Sequence, residues 1–179
     1  MAVKDVIREI IDAAQMVWRD LNGGWSESIY QNAMEAALKE KGIIFEAQRP
    51  VPVFFRGGKG EYCVGEGKAD LVVWTFQDEK RVAVVVELKA DENIKEEHVN
   101  QVQKYIQALK IQKKENEEVH PQGILINFVK PSGRKKISED KVLRECFPPQ
   151  ILMIDESLSF SSSEEEKESA EKPAKRKKK

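Results

Sequence analysis

The stretch VVVELKADEN, residues 84–93, opens as a buried strand and ends by placing two opposite charges, Glu87 and Lys89, in its last positions. Side chains alternate faces along a strand, so Glu87 and Lys89 point the same way while Leu88 points into the other layer. A second acid, Asp70 in GKADLVV, stands at the start of the preceding apolar run. Antiparallel neighbours lie about 4.8 Å apart, so Asp70 and Glu87 can share a cation. Two carboxylates at a strand end with a lysine beside them suit Mg²⁺, with Mn²⁺ as a substitute: Mg²⁺ takes oxygen ligands at about 2.1 Å and keeps several waters for chemistry. The lysine adds positive charge where a phosphorane or an attacking hydroxide carries negative charge. By spacing alone, the same residues also describe an exposed ion pair on a strand that has run out of core.

Outward from this strand, the pattern is one of layers. Val3, Val6, Ile7, Ile10, Ile11, Ala14 and Val17 recur at helical spacing until Asn22-Gly23-Gly24 breaks them. Ser26 can cap a second helix with Glu27 in its first turn; Tyr30, Met34, Ala37 and Leu38 form its apolar stripe, and Gly42 stops it. GIIFEAQRPVPVFF, EYCVGEGKADLVVWTF and RVAVVVELKA follow, separated by the turns RGGKG and QDEK, and predict a three-stranded meander. Helical periodicity returns from Ile94 to about Gln112 through Val99, Val102, Ile106 and Leu109, and GILINFV at 123–129 is another buried strand. The order ααβββαβ defines an α/β layer fold. ILMID, residues 151–155, is balanced between a short edge strand and none.

Composition bounds the rest. With 40% hydrophobic and 34% charged residues the chain buries a real core, while 30 Lys plus Arg against 31 Asp plus Glu leave a net charge of −1, so any basic surface must be local. Cys63 and Cys146 are too few and too isolated for a metal cluster or a disulfide framework, which fits a reducing intracellular compartment. MAVKDVIREIIDAAQMVW mixes acids and bases through its apolar positions and has the character of neither a signal peptide nor a membrane span. Residues 1–155 are expected to form the domain. Residues 156–179, nearly devoid of apolar side chains, are expected to form a disordered tail, acidic and then basic.

Several polar residues accompany the acids. Glu27 lies one turn before Tyr30 on the apolar stripe of the second helix and is expected to face the sheet, although a glutamate in a first turn is also favoured by the helix dipole alone. Gln101 and Tyr105 stand four apart on the third helix with His98 one turn earlier, along a polar edge beside the core stripe. A solvated helix edge has the same spacing. His98 can assist phosphate binding or water activation but is at least as readily a surface residue, and His120 before Pro121 is expected in a loop.

The chain resembles the GxxExxY proteins of the PD-(D/E)XK nuclease superfamily. The resemblance rests on Gly24-Trp25-Ser26-Glu27-Ser28-Ile29-Tyr30, then Lys68-Ala69-Asp70, Glu87-Leu88-Lys89-Ala90, HVNQVQKYI and LINF, in order and over roughly residues 6–130, with Ala69 in place of the proline. It implies a three-layer core with a central mixed sheet flanked by helices. It further implies a metal-dependent nuclease acting on nucleic acid, DNA ahead of RNA and with no membrane. In that reading Asp70 and Glu87 hold Mg²⁺ with help from Glu27, Lys89 positions or activates water, and Gln101 and Tyr105 orient the lysine or contact phosphate. The alternatives are a catalytically silent nucleic-acid- or protein-binding module, an adaptor acting through its tail, and a phosphoesterase with another substrate.

KPAKRKKK, residues 172–179, closes the chain with five consecutive bases after an acidic run, a pattern shared by nuclear import signals and by nonspecific phosphate-binding arms. If it is an import signal, residues 157–179 fused to a reporter will carry it into the nucleus of a eukaryotic cell, and a reporter left in the cytoplasm removes that role. If it grips phosphates, deleting Lys175–Lys179 will flatten the salt dependence of DNA binding by about 0.9 log units per lost contact.

Overall fold

The computed structural model describes residues 1–130 and 149–157. Two helices come first, α1 (Val3–Leu21) and α2 (Glu27–Glu40), followed by the strands β1 (Ile44–Gly57), β2 (Gly60–Gln77) and β3 (Lys80–Lys89). Then come α3 (Glu96–Gln112), β4 (Glu117–Val119), β5 (Gln122–Asn127) and β6 (Gln150–Asp155). The strands form one mixed sheet ordered β1-β2-β3-β5-β6, with β4 beside the start of β3. β1, β2 and β3 are an antiparallel meander, β5 is parallel to β3, and β6 returns antiparallel along β5. The α/β architecture with a central mixed sheet is therefore as expected, and ILMID does form an edge strand. β4 was not anticipated; at three residues it is too short to display a period.

β3 sits at the centre, and both of its faces are covered. Val84, Val86 and Leu88 pack with α1 and α2, where Val6, Ile10, Tyr30, Met34 and Leu38 lie in the same core. Ala83 and Val85 pack on the other side with Val99, Val102, Ile106 and Leu109 of α3. Helices on both faces give three layers, and double coverage is why the strand is a continuous apolar run rather than an alternating one. α1 buries Val3, Val6, Ile10, Ala13, Ala14, Val17 and Trp18, which spiral along one stripe. α2 closes through Gly42 N–H to the Lys39 carbonyl and Ile43 N–H to the Leu38 carbonyl, both 3.0 Å.

Only part of β2 belongs to the three-layer body. Its residues Leu71–Gln77 pair with β3, whereas Gly60–Ala69 pair with β1 alone, so beyond Asp70 the two strands leave the sheet as a two-stranded ribbon. The ribbon carries exposed Phe54, Phe55, Tyr62 and Val64. Pro50 and Pro52, two apart in β1, place both missing N–H groups on one edge of a strand that has a partner on one side only, which discourages further pairing there. Asp70 is the branch point.

His120 and Pro121 interrupt the line of β4 and β5 along β3. α3 sits tightly on β5 because Gly123 has no side chain: a Cβ there would lie 2.5 Å from Val102 Cγ1 and 3.2 Å from the Val85 carbonyl oxygen. The chain is still tied to the body at Glu156, whose N–H donates to the Pro121 carbonyl at 3.0 Å and whose carboxylate meets Lys110. The expected tail from residue 158 onward, like Cys146, lies outside the described residues. No helix among the described residues is long and apolar enough to cross a membrane.

Gly123→Ala should force α3 away from the sheet. Overpacking of this kind costs roughly 1–3 kcal/mol, so thermal unfolding of the variant is expected to come several degrees below wild type, at about 2–4 °C per kcal/mol for a chain of this size.

Candidate active site

The register that pairs Leu71 with Val86 carries Asp70 to the level of Glu87 on the neighbouring strand. Both lie at the end of the sheet where β2 turns away, so strand pairing itself brings the two acids together. Glu87 is only 1% exposed, and Asp70 is 8% exposed. Lys89, two residues on and on the same face, places Nζ 2.9 Å from Glu87 Oε1 and is itself largely buried. The two charges at the end of this apolar strand thus stand where the ribbon leaves the three-layer body.

The two Asp70 oxygens are separately held. Oδ2 accepts the Leu88 backbone N–H at 2.8 Å and Oδ1 accepts Gln48 Nε2 at 3.0 Å. Gln31 of α2 donates Nε2 to the Asp70 carbonyl oxygen at 3.0 Å. Glu87 Oε2, in contrast, is buried and has no hydrogen-bond partner among the described residues, and the same holds for Gln31 Oε1. Burial raises the Glu87 pKa to about 8, and the neighbouring Asp70 charge adds to the shift while Lys89 opposes it. Burial works against the charge on Lys89, but Glu87, Glu27 and Asp70 outweigh it and leave its pKa raised. The ammonium therefore stays protonated at neutral pH.

Glu27 opens α2, and the structure brings it to Lys89 Nζ at 3.9 Å. It does face the site, but its side chain is about half exposed at 48%. Partial burial raises its pKa, Lys89 lowers it, and Asp70 and Asp91 raise it again. Its placement depends on Tyr30, fully buried and stacked on Phe128 with ring centres 4.3 Å apart, whose hydroxyl donates to the Asn22 carbonyl at 2.6 Å. Tyr30 thereby fixes the loop that leads into α2.

Gln101 and Tyr105 are together on α3, on the side that meets the ribbon. Gln101 Nε2 donates to Tyr105 Oη at 3.0 Å, and both line a groove of about 680 Å³ between α3 and the ribbon, with Phe54, Phe55 and Lys104. Tyr105 lies over Gly67, where a Cβ would come within 2.9 Å of its ring. His98 is not a surface residue: its side chain is 7% exposed, Nδ1 accepts the Lys95 N–H at 3.3 Å, and Nε2 lies 3.3 Å from Asp91 Oδ2. Burial and then Lys89 lower its pKa, so it is neutral at neutral pH. His120 is in the expected loop, with Nδ1 2.9 Å from the Gln122 carbonyl oxygen.

Sequence reasoning missed Gln31, Gln48 and Asn127. Asn127 clamps the chain after β3, accepting the Asp91 N–H at 2.9 Å and donating to the Asp91 carbonyl at 3.0 Å. For Gln48 no short-range signal existed, since its partner is 22 positions away.

The residues present fit a divalent cation. A buried carboxylate oxygen without a partner, beside a second carboxylate whose oxygens each accept a single hydrogen bond, is a hard oxygen pair with lone pairs to spare. Among the described residues no group of three or more His, Cys, Asp or Glu is gathered for a metal, so Glu27 does not complete a three-acid cluster. Mg²⁺ is ordinarily held by one or two carboxylates, with waters and phosphates supplying the rest.

A family profile described as PD-(D/E)XK nuclease superfamily matches residues 4–139. The chain belongs to the PD-(D/E)XK nuclease superfamily. Its members are usually phosphodiester-hydrolysing nucleases and generally use divalent metals. The crystal structure of SSO0001 is similar over 74% of this chain at 19% identity, with a TM-score of 0.45; this chain spans about half of that protein, 52%. No curated protein matches the chain.

The Glu87 shift has a sign in the metal-free protein. Below about pH 4.5 the folded and unfolded chains both hold the proton, and no stability is lost. Between there and about 8 only the folded chain retains it, so stability falls as pH rises, and above about 8 the loss is complete. Urea melts in chelator at pH 5, 6, 7 and 8 should show this decline, and Glu87→Gln should flatten it. A wild-type curve as flat as that of the variant would contradict the burial argument.

Proposed function

We propose that this chain is a divalent-metal-dependent nuclease of the GxxExxY type that hydrolyses phosphodiester bonds in nucleic acid, DNA in preference to RNA. The observation that carries this is the pairing of two buried carboxylates on adjacent strands, Asp70 and Glu87, with a charged lysine 2.9 Å from one of them and a carboxylate oxygen left without a partner. Asp70 and Glu87 would hold Mg²⁺, or Mn²⁺ in its place. A bound divalent cation supplies neutralisation of phosphate charge and a water of lowered pKa.

The chain's own side chains divide the remaining work. Lys89 is ammonium at neutral pH, so it is placed to stabilise negative charge building on the phosphoryl oxygens and to orient the attacking water rather than to take a proton from it. Glu27 holds Lys89 from the α2 side. Attack forms a P–O bond to water and breaks a P–O bond to the leaving strand, whose oxygen takes up a proton. Gln101 and Tyr105, which line the groove between α3 and the ribbon, would contact the backbone of the bound strand there. A fold retaining these acids only for binding is the alternative outcome.

Purified protein incubated with labelled single- and double-stranded DNA and RNA, with Mg²⁺, Mn²⁺ or chelator, tests the reading. Cleavage should need the metal. Asp70→Asn and Glu87→Gln should abolish cleavage while the fold survives, and Lys89→Ala should lower the rate by on the order of 10² to 10³ with metal affinity retained. Glu27→Gln and Gln101→Ala should weaken activity less. No cleavage by wild type with any metal, or full activity in Glu87→Gln, would overturn the enzyme and leave the binding module.

A further inference from the structure

Gln48 has a backbone that a strand interior does not favour. Its φ is 49°, in the left-handed region, although it lies within β1 between Ala47, paired with Leu71, and Arg49, paired with Ala69. A residue with a Cβ is disfavoured there, and glycine or asparagine would occupy the position with less strain. Such outliers persist where the surroundings over-determine them, and they concentrate at functional sites. The same residue lies opposite Asp70 and donates Nε2 to Asp70 Oδ1 at 3.0 Å.

We propose that Gln48 is a positioning residue: its left-handed backbone places the side-chain amide on Asp70 Oδ1, and this hydrogen bond sets the carboxylate for a divalent cation shared with Glu87. The inference rests on the nuclease reading and goes beyond it. Three donors then fix Asp70 from three elements: Gln48 of β1 on one oxygen, the Leu88 N–H of β3 on the other, and Gln31 of α2 on its carbonyl. Two of the three are delivered by rigid elements of the three-layer body. Gln48 is the one that comes from the base of the ribbon, so it ties the ribbon's position to the orientation of a metal-binding carboxylate. Hydrogen bonds of this kind to a ligand are commonly worth 10- to 100-fold in metal affinity or activity.

Three variants separate positioning from structure. Gln48→Met keeps the length and removes the donor, Gln48→Gly removes the donor and relieves the backbone, and Gln48→Glu replaces the donor with a like charge. The measurements are calorimetric titration with MgCl₂ and MnCl₂ in the absence of nucleic acid, thermal melting in chelator, and kcat and KM for cleavage over a range of metal concentrations. Gln48→Met and Gln48→Gly should both bind Mg²⁺ about 10- to 100-fold more weakly, and their cleavage should recover as metal is raised while KM for the nucleic acid stays near wild type. Gln48→Gly should nevertheless melt above Gln48→Met, because it adopts the left-handed backbone freely. Gln48→Glu should bind Mg²⁺ no better than Gln48→Met. Wild-type metal affinity in Gln48→Met, or a lower melting point for Gln48→Gly than for Gln48→Met, overturns the proposal. If wild type binds metal and cleaves while the variants match it, this inference alone falls; if wild type binds no divalent ion, the nuclease reading falls with it.

Discussion

A carboxylate that is 1% exposed, with one oxygen bonded to a lysine and the other without a partner among the described residues, is the constraint around which this molecule is arranged. Burying an ionised carboxylate without full compensation is costly, and the protein responds as physics allows, by holding the proton until about pH 8. A structural glutamate would be cheaper at the surface or paired on both oxygens. That Glu87 is kept inside, beside Asp70 and under Lys89, is most economically understood if a cation takes the place of the proton. Stability in the metal-free state is then traded against a site already shaped for its ligand.

Delivering Glu87 to that position requires β3 to be covered on both faces, and the double coverage reaches back into every other element. α1 and α2 cover one side and α3 the other. The meander supplies Asp70 on the adjacent strand, and the departure of the ribbon at Asp70 opens the strand end that would otherwise be closed by continued pairing. Tyr30, stacked on Phe128 at the base of α2, connects the first layer to the last residues of the β5 segment and sets where Glu27 stands.

Much of this was legible in the residues. Apolar runs bounded by turns marked β2, β3 and β5, and the alternation rule put Glu87 and Lys89 on one face, where they do meet at 2.9 Å. Asp70 and Glu87 were placed together by hairpin register, which the turn at Asp78-Glu79 sets. What was not legible depends on long-range geometry. Gln31 and Gln48 are ordinary polar residues until the sheet brings the Asp70 backbone and side chain against them. His98 sits on a helix edge by spacing, but the loop through Asp91 and Lys95 folds over it and buries it, which periodicity along one helix does not report. Gln101 was assigned by resemblance to the lysine or to phosphate; the hydrogen bond of its amide to Tyr105 and its place on the groove between α3 and the ribbon have no signal in the spacing of one helix.

Charge arithmetic ties the site to the reading proposed for it. Asp70, Glu87 and Glu27 all act on a single ammonium, Lys89, so acids outnumber bases around it once they are ionised. A phosphodiester carries a negative charge, and a site with that balance in a low-dielectric setting repels it. Lysine alone cannot correct the imbalance, since a second ammonium would have to enter the same buried space and lose its own hydration. In the proposed reading one divalent cation would offset that excess and would offer coordination to the phosphate oxygens as well, so the ion that assists the chemistry would also admit the substrate. The excess of acids over bases around Lys89 is therefore an argument for the metal that stands apart from the unpartnered oxygen of Glu87.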